Sequence, residues 1–396
     1  MRILLFLFFV HLLLNASTIN LDEILTAVQK EHPMAKSLQE IDYAHKNQNQ
    51  AISSREAAQL NIQNSYANPK FNKAEHEYDI GVTQNITLPS VKKNIAQANS
   101  YKNEAQMLEL KYNFALLQND IALLYHNSCL DKTNLSNFSQ ELKSFEELYT
   151  KKAKAYEYKE ISKKELLELS LELERLRNEH KQYKNVLLSS RSRLQSKVLL
   201  EYFTDKELSC NDLNPFVKEL EVDNQNQTLI EQSFDKKIKS YQSDARRYNN
   251  SFDSFTLGLS YAKEIDLNKA TVSLSIPLNF TASVYEQSRS EALHNQSAAS
   301  YDKEAYMLEK KADIELLQKE LSFDFESIEA QKGIVKKYED ELLPLAKTAY
   351  LLGENSAIEF LLHQREYLKL KAELTTKHKK YYQTLFELLS VAQIKE

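Results

Sequence analysis

Between Phe255 and Phe280 the chain alternates. In Phe255-Thr-Leu257-Gly-Leu259-Ser-Tyr261 every second residue is large and apolar, and Thr256, Gly258 and Ser260 stand between them. After a polar interval, Ala262 to Lys269, the alternation returns. Val272, Leu274, Ile276, Leu278 and Phe280 share one face; Thr271, Ser273, Ser275, Pro277 and Asn279 share the other. A period of two with one apolar face predicts two β-strands. Runs of about ten residues with small polar partners also suit a barrel wall that faces lipid. Alone, the pattern fits a half-buried sandwich strand better. The remainder of the chain, nearly free of strands and led by an export signal, decides for the membrane wall.

Elsewhere the period is helical. Leu21 to Pro33 reads as a short amphipathic helix stopped by the proline, and a second helix is expected from about Met34 to Tyr66, broken by Asn68-Pro69. Phe71 to Glu77 is a poor strand. Tyr78 to Leu88 is a better one: Tyr78, Ile80, Val82, Ile86 and Leu88 alternate with polar residues as far as Pro89. From Val91 to about Tyr149 there is neither Gly nor Pro, which predicts one helix of about 90 Å. Its seam is Leu110, Phe114, Leu117, Ile121, Leu124 and Ser128. The return helix, about Ser162 to Leu200, carries Leu166, Leu169, Leu173, Leu176, His180, Tyr183 and Leu187. Steps of three and four are the spacing of coiled-coil packing, so the two helices form an antiparallel hairpin. Tyr202 to Leu213 is polar and irregular and marks a boundary.

The second half repeats the first. A helix is expected from Asn214-Pro215 to about Asn249, then the two strands, then helices from about Ala282 to Leu352 and Ser356 to Gln393. Ser100 to Lys111 matches Ser300 to Lys311 at eight of twelve positions, and Leu116-Leu-Gln118 matches Leu316-Leu-Gln318 in the same register. The hairpin tips correspond as well: Ala155-Tyr156, Glu160, Ser162, Glu165 and Leu167 against Ala349-Tyr350, Glu354, Ser356, Glu359 and Leu361. This is the signature of a tandem duplication. It divides the chain into a leader (1–16) and two structural repeats (17–205 and 206–396), each a helix, two strands and a long helical hairpin.

Composition narrows the function. Met1-Arg2, the apolar run Ile3 to Leu14 and then Asn15-Ala16-Ser17 form an export signal cleaved near Ala16. No Cys lies nearby to carry a lipid. Four Gly and six Pro in 396 residues leave little turn chemistry, so the elements are long helices. There is no phosphate-cradling glycine motif, no HExxH and no His pair at helical spacing, so no catalytic, cofactor or metal site is expected. A net charge of −5 without a basic patch argues against nucleic acid. Cys129 and Cys210, the two cysteines, either pair in an oxidising compartment or remain as two separate thiols. Their sequence context leaves both open.

Four strands cannot close a membrane barrel, and an open sheet edge in lipid leaves backbone groups unpaired at several kcal/mol each. Copies of the chain must therefore join to complete one wall. At this point the chain resembles the TolC-type outer-membrane efflux proteins over its whole mature length. The resemblance is carried by the helix before Pro33, Asn68-Pro69 ahead of a strand, the strand end Ser275-Ile-Pro-Leu278, and Tyr350-Leu-Leu-Gly353-Glu-Asn-Ser-Ala-Ile-Glu359-Phe-Leu-Leu-His-Gln-Arg365. It implies a mainly α fold with a small β part. Long antiparallel hairpins would form an α-barrel, with four transmembrane β-strands per subunit, completed as a trimer. It also implies the function: a passive duct across outer membrane and periplasm in tripartite efflux or type I secretion. The implied partners are a periplasmic adaptor, an inner-membrane pump and outer-membrane lipid. A coiled-coil adaptor or scaffold without a pore is the alternative, although such proteins carry Gly-rich β-domains.

Three sets of residues follow. Leu257, Leu259, Val272, Leu274 and Ile276 are expected to face lipid. The tips differ in charge: Lys151, Lys152, Lys154, Lys159, Lys163 and Lys164 crowd the first, while Glu339, Asp340, Glu341, Glu354 and Glu359 flank the second. By the resemblance, Glu359 forms an acidic ring at the closed end of the tunnel and Tyr350 bonds a neighbouring hairpin, together making the pore gate. A carboxylate in the first turn of a helix is also explained by the helix dipole alone. The chain departs from the family in Lys159, where the first tip usually has Gly, and in Leu362, where some members carry a second acid.

Overall fold

The computed structural model describes residues 18–67, 75–204, 206–222, 227–250, 252–264, 267–277 and 283–393. The leader, Asn68-Pro69, Leu278 and Phe280 lie outside the described residues. The chain divides into two compact units. One comprises Ser37–Tyr112 and Gln227–Leu308; the other comprises Met1–Lys36, Asn113–Asn226 and Glu309–Glu396. Each unit draws on both sequence halves.

The first unit is built on a four-stranded antiparallel sheet of β2 (Gln59–Ala67), β3 (Glu75–Thr87), β5 (Ser254–Lys263) and β6 (Asn268–Ser275), in the order β2-β3-β5-β6. The segment from Gln59 to Tyr66, expected as helix, is strand. Its apolar residues are only Leu60, Ile62 and Tyr66, among Gln and Asn that helices tolerate. Cross-strand pairing settles the matter, because Leu60 lies opposite Val82 and Ile62 opposite Ile80. Ile276, expected within a strand, sits one residue beyond β6. Helix α5 (Leu229–Arg247) starts at a capping box in which Thr228 Oγ1 accepts from Glu231 N and the Glu231 carboxylate accepts from Thr228 N. It does not begin at Pro215.

In the second unit, β1 (Thr18–Ile19) pairs in parallel with β4 (Glu207–Leu208). Helix α1 (Leu21–Glu31) opens on an Asn20–Glu23 capping box, buries Leu21, Ile24 and Val28, and stops at His32; Pro33 then begins α2 (Pro33–Ser53). Helix α3 runs Pro89–Glu157 without interruption, about 100 Å at 1.5 Å per residue. Helix α4 (Lys163–Val198) returns, burying Leu169, Leu173, Leu176 and Leu194. The long helix expected to reach Leu352 is divided: α6 (Val284–Lys337), a π-turn at Tyr338–Leu342, then α7 (Leu343–Leu351). The cause is Pro344. It has no N–H, and its ring would strike the carbonyl four residues back, at Asp340; the wider turn, with Leu343 N donating to Tyr338 O, makes room. Helix α8 (Ala357–Ala392) closes the chain.

Residues 206–222 pack against the core. Phe203 and Leu208 are buried, and Leu213, Phe216, Leu220 and Val222 pack on the core formed by Ile121, Tyr125, His126 and Cys129 of α3 with Tyr381, Tyr382, Leu385 and Phe386 of α8. The segment needs no regular secondary structure because buried side chains satisfy its backbone. Tyr125 donates to Ser209 O, Tyr382 to Asn214 O and Gln318 to Leu220 O, and His126 Nε2 accepts from Asn214 N. Tyr381 both accepts from Val217 N and donates to its O. Cys129 and Cys210 are joined by a disulfide, with Cα atoms 5.4 Å apart.

Candidate functional site

One face of the sheet is apolar, and that face is exposed. One row across the strands is Leu60, Val82, Leu259 and Val272, and the next is Ile62, Ile80, Tyr261 and Ala270. Ile62, Leu259 and Val272 are 69%, 64% and 78% exposed. Leu257 and Leu274 face each other on the same side. At the far end Tyr66, His76 and Tyr78 make an aromatic group, Tyr66 and His76 meeting edge to face at 5.3 Å. Of the predicted lipid-facing set, four are on this face within the strands, and Ile276 is exposed just past β6. Leu60, Ile62, Ile80 and Val82 join them; for the first two, the alternation from Gln59 to Tyr66 was the available signal.

The opposite side is polar and small. Asn61, Gly81, Ser260 and Thr271 form one row, and Thr83, Gly258 and Ser273 the next. A Cβ on Gly81 would lie 2.9 Å from Ser260 Cβ and force the strands to shift, whereas one on Gly258 would meet Ser273 Oγ, a hydroxyl that can turn away, at 2.4 Å and Thr83 Cγ2 at 3.2 Å. Within the sheet β2 and β6 each have a single pairing neighbour, so both edges are open. An uncovered apolar face this wide exceeds what a soluble protein normally presents to water.

The two hairpin tips, both in the second unit, share one geometry. In the first, Glu160 N donates to Ala155 O and Lys159 N to Tyr156 O, each at 2.9 Å; in the second, Glu354 N donates to Ala349 O at 2.9 Å and Gly353 N to Tyr350 O at 3.1 Å. This paired arrangement demands a left-handed residue after the helix. Gly353 supplies it at φ 76°, and Lys159 adopts it at φ 62°, which costs about 1–2 kcal/mol in a residue with a Cβ. Ser162 then caps α4 by accepting from Glu165 N, as Ser356 caps α8 by accepting from Glu359 N.

Glu359 completes a capping box: its Oε2 accepts from Ser356 N at 2.8 Å and from Ser356 Oγ at 3.3 Å. The side chain is exposed. Tyr350 stacks on Phe360 at 5.5 Å with the rings 10° from parallel. Lys152 of the first hairpin stands 5.5 Å over the Tyr350 ring and pairs at 3.2 Å with Glu165, the counterpart of Glu359. Sequence reading placed Lys152 in a cationic cluster and missed this contact with the tyrosine. Beneath the tips, Phe138, Phe145, Leu169, Leu173 and Leu176 pack with Ala357 and Leu361.

Among the described residues no group of three His, Cys, Asp or Glu side chains could hold a metal, and no helix is long and apolar enough to cross a membrane. No family model and no curated protein matches the sequence. Solved structures do. The Campylobacter jejuni CmeC outer membrane channel is similar at a TM-score of 0.78 and 13% identity, over 94% of this chain and 85% of that one. The Vibrio cholerae outer membrane protein VceC is similar at 0.76 and 11%, over 94% and 95%. The open-state Neisseria gonorrhoeae MtrE outer membrane channel is similar at 0.70 and 13%, over 94% and 88%. The duplicated helix–strand–strand–hairpin order, the four-stranded sheet and these likenesses agree: the chain has the fold of the TolC-type outer-membrane channels.

Proposed function

We propose that this chain is the outer-membrane channel subunit of a tripartite efflux or type I secretion system. It is a passive duct for drugs, toxic solutes or proteins, works with a periplasmic adaptor and an inner-membrane pump, and performs no catalysis. The observation that carries the reading is the inverted sheet, apolar on its exposed face, polar on the other and open at both edges. Such a sheet is stable in lipid only when its edges are paired by other copies. Three copies would supply twelve strands, within the range of membrane barrels. Uncovered Leu316 and Phe323 on α6 suit the same association between copies.

In this reading the polar face, with its two glycines, lines the lumen. Three Glu359 carboxylates meet near the axis at the narrow end and attract cations, and Tyr350 steadies the closed tips. The equal geometry of the two tips supports descent of residues 17–205 and 206–396 from one duplicated unit. The alternative, a coiled-coil adaptor or scaffold, leaves the apolar sheet without an environment.

The test is fractionation of cells expressing the full chain, followed by planar-bilayer recording. The expected protein stays with outer membranes until detergent is added, migrates as a heat-sensitive oligomer and conducts. Release as a monomer by osmotic shock alone would sink the reading.

A further inference from the structure

A cavity of about 630 Å³ opens where β3 gives way to α3. Its origin is a mismatch in strand length. Strand β2 begins at Gln59, opposite Thr83, so residues 84–87 of β3 are bordered on that side by the coil after α2 rather than by a strand. The volume lies within the range of small-molecule sites. Arg55 and Lys92 line it together with three aliphatic side chains, Ile52, Ile86 and Ile95.

The charges do not cancel. Glu56 also lines the cavity, but its carboxylate accepts from Asn85 Nδ2 at 2.7 Å and Thr87 Oγ1 at 2.9 Å. Those two bonds hold its pKa below the ordinary value and fix it against β3. Lys92 Nζ donates to Ser54 O at 2.6 Å, which leaves two of its three hydrogens for a ligand. Arg55 is exposed and presents a planar fork suited to phosphate. Two cations therefore face one committed acid, beside an aliphatic wall.

We propose that this cavity binds an anionic phospholipid of the leaflet that meets the strand–helix junction. The phosphate would sit on Arg55 and Lys92, with the first acyl methylenes against Ile52, Ile86 and Ile95. This rests on the reading of the sheet as a membrane wall, since the cavity adjoins the end of the apolar face that runs down β3 through Ile80 and Val82. Free phosphate shares the anionic chemistry, but three isoleucines would contribute nothing to holding it.

The test uses the full channel extracted in neutral detergent, with native mass spectrometry under added phosphatidylglycerol, phosphatidylethanolamine or inorganic phosphate. Phosphatidylglycerol is expected to be retained preferentially and to resist displacement by inorganic phosphate. Arg55→Gln with Lys92→Gln should weaken its binding about 25-fold, about fivefold per cation. Lys93→Gln, which removes one cation from an exposed neighbour, should leave it unaltered. Equal retention of both lipids, an unaffected double variant, or displacement by inorganic phosphate overturns the proposal. So does an intermolecular cross-link through Ile52→Cys, which would mean that a second copy fills the cavity. Flotation with neutral vesicles separates the two readings: a wild-type channel that floats yet ignores phosphatidylglycerol refutes this site alone, and one that does not float refutes the membrane wall.

Discussion

Leu259→Arg tests the wall most directly. Along β3, the outward face runs from His76 to Ile86, about 34 Å at about 3.4 Å per residue. At a tilt of about 40° that is about 26 Å of height, against about 25 Å for the apolar band of outer-membrane barrels. The middle of this span falls at residue 81, between the rows of Ile80 and Val82, and the Val82 row includes Leu259 and Val272. Leu274 lies one row nearer the helices and makes a less sensitive probe. If the face meets lipid, arginine at 259 costs about 2–4 kcal/mol per copy, or about 6–12 kcal/mol for three. If it meets water, replacing a side chain that is already 64% exposed should change stability by no more than about 0.5 kcal/mol. Thr271→Arg, one position away on the polar face, is the control and should assemble. The assay is the midpoint of guanidinium unfolding from liposomes, read beside the heat-sensitive oligomer on unboiled gels. Equal tolerance of both variants, or greater damage from Thr271→Arg, would falsify the assignment of the two faces.

The disulfide closes a separation of 81 residues, for which chain entropy gives about 4.5 kcal/mol of stabilisation; Cys129→Ser with Cys210→Ser should lose most of it. Non-reducing mass spectrometry of exported protein should find a mass two units below the dithiol form, and alkylation of both thiols without reductant would contradict the bridge. At the proposed gate, Glu359→Gln keeps a residue that can still complete the capping box and removes only the charge, so weaker cation selectivity and divalent block would report the proposed ring itself. No change there, with altered selectivity in Glu354→Gln, would move the ring to Glu354. Tyr350→Phe preserves the stack on Phe360, so a rise in conductance would isolate the hydroxyl. Burial lowers the pKa of His32, His126 and His378, the last to about 4. Their neutral forms stabilise the fold fully above the ordinary value of 6.5, and that contribution is lost as pH falls from 6.5 toward 4. Thermal unfolding at pH 7.5, 5.5 and 4 should show the decline; protonating His126 also costs the bond that Asn214 N donates to its Nε2.

The long elements were legible because their signals are local. Leucines at steps of three and four mark α4, and the absence of Gly and Pro marks α3. The duplicated tip residues return as duplicated hydrogen bonds, and the alternation in β5 and β6 needs only the pleat. What failed in reading depended on partners distant in the chain. Gln59 to Tyr66 becomes a strand because Val82 and Ile80 lie opposite Leu60 and Ile62. Residues 209–222 form no helix because Tyr381, Tyr382 and His126 take their backbone groups, which no local period encodes. The π-turn was marked by Pro344, but one proline does not say whether a helix will end, kink or widen. At the second tip, the family resemblance singled out Glu359 and Tyr350. Tertiary structure set Lys152 over the ring and tied one oxygen of Glu359 into its own helix cap. Periodicity in a chain states which face is apolar; only the packed elements state what that face touches.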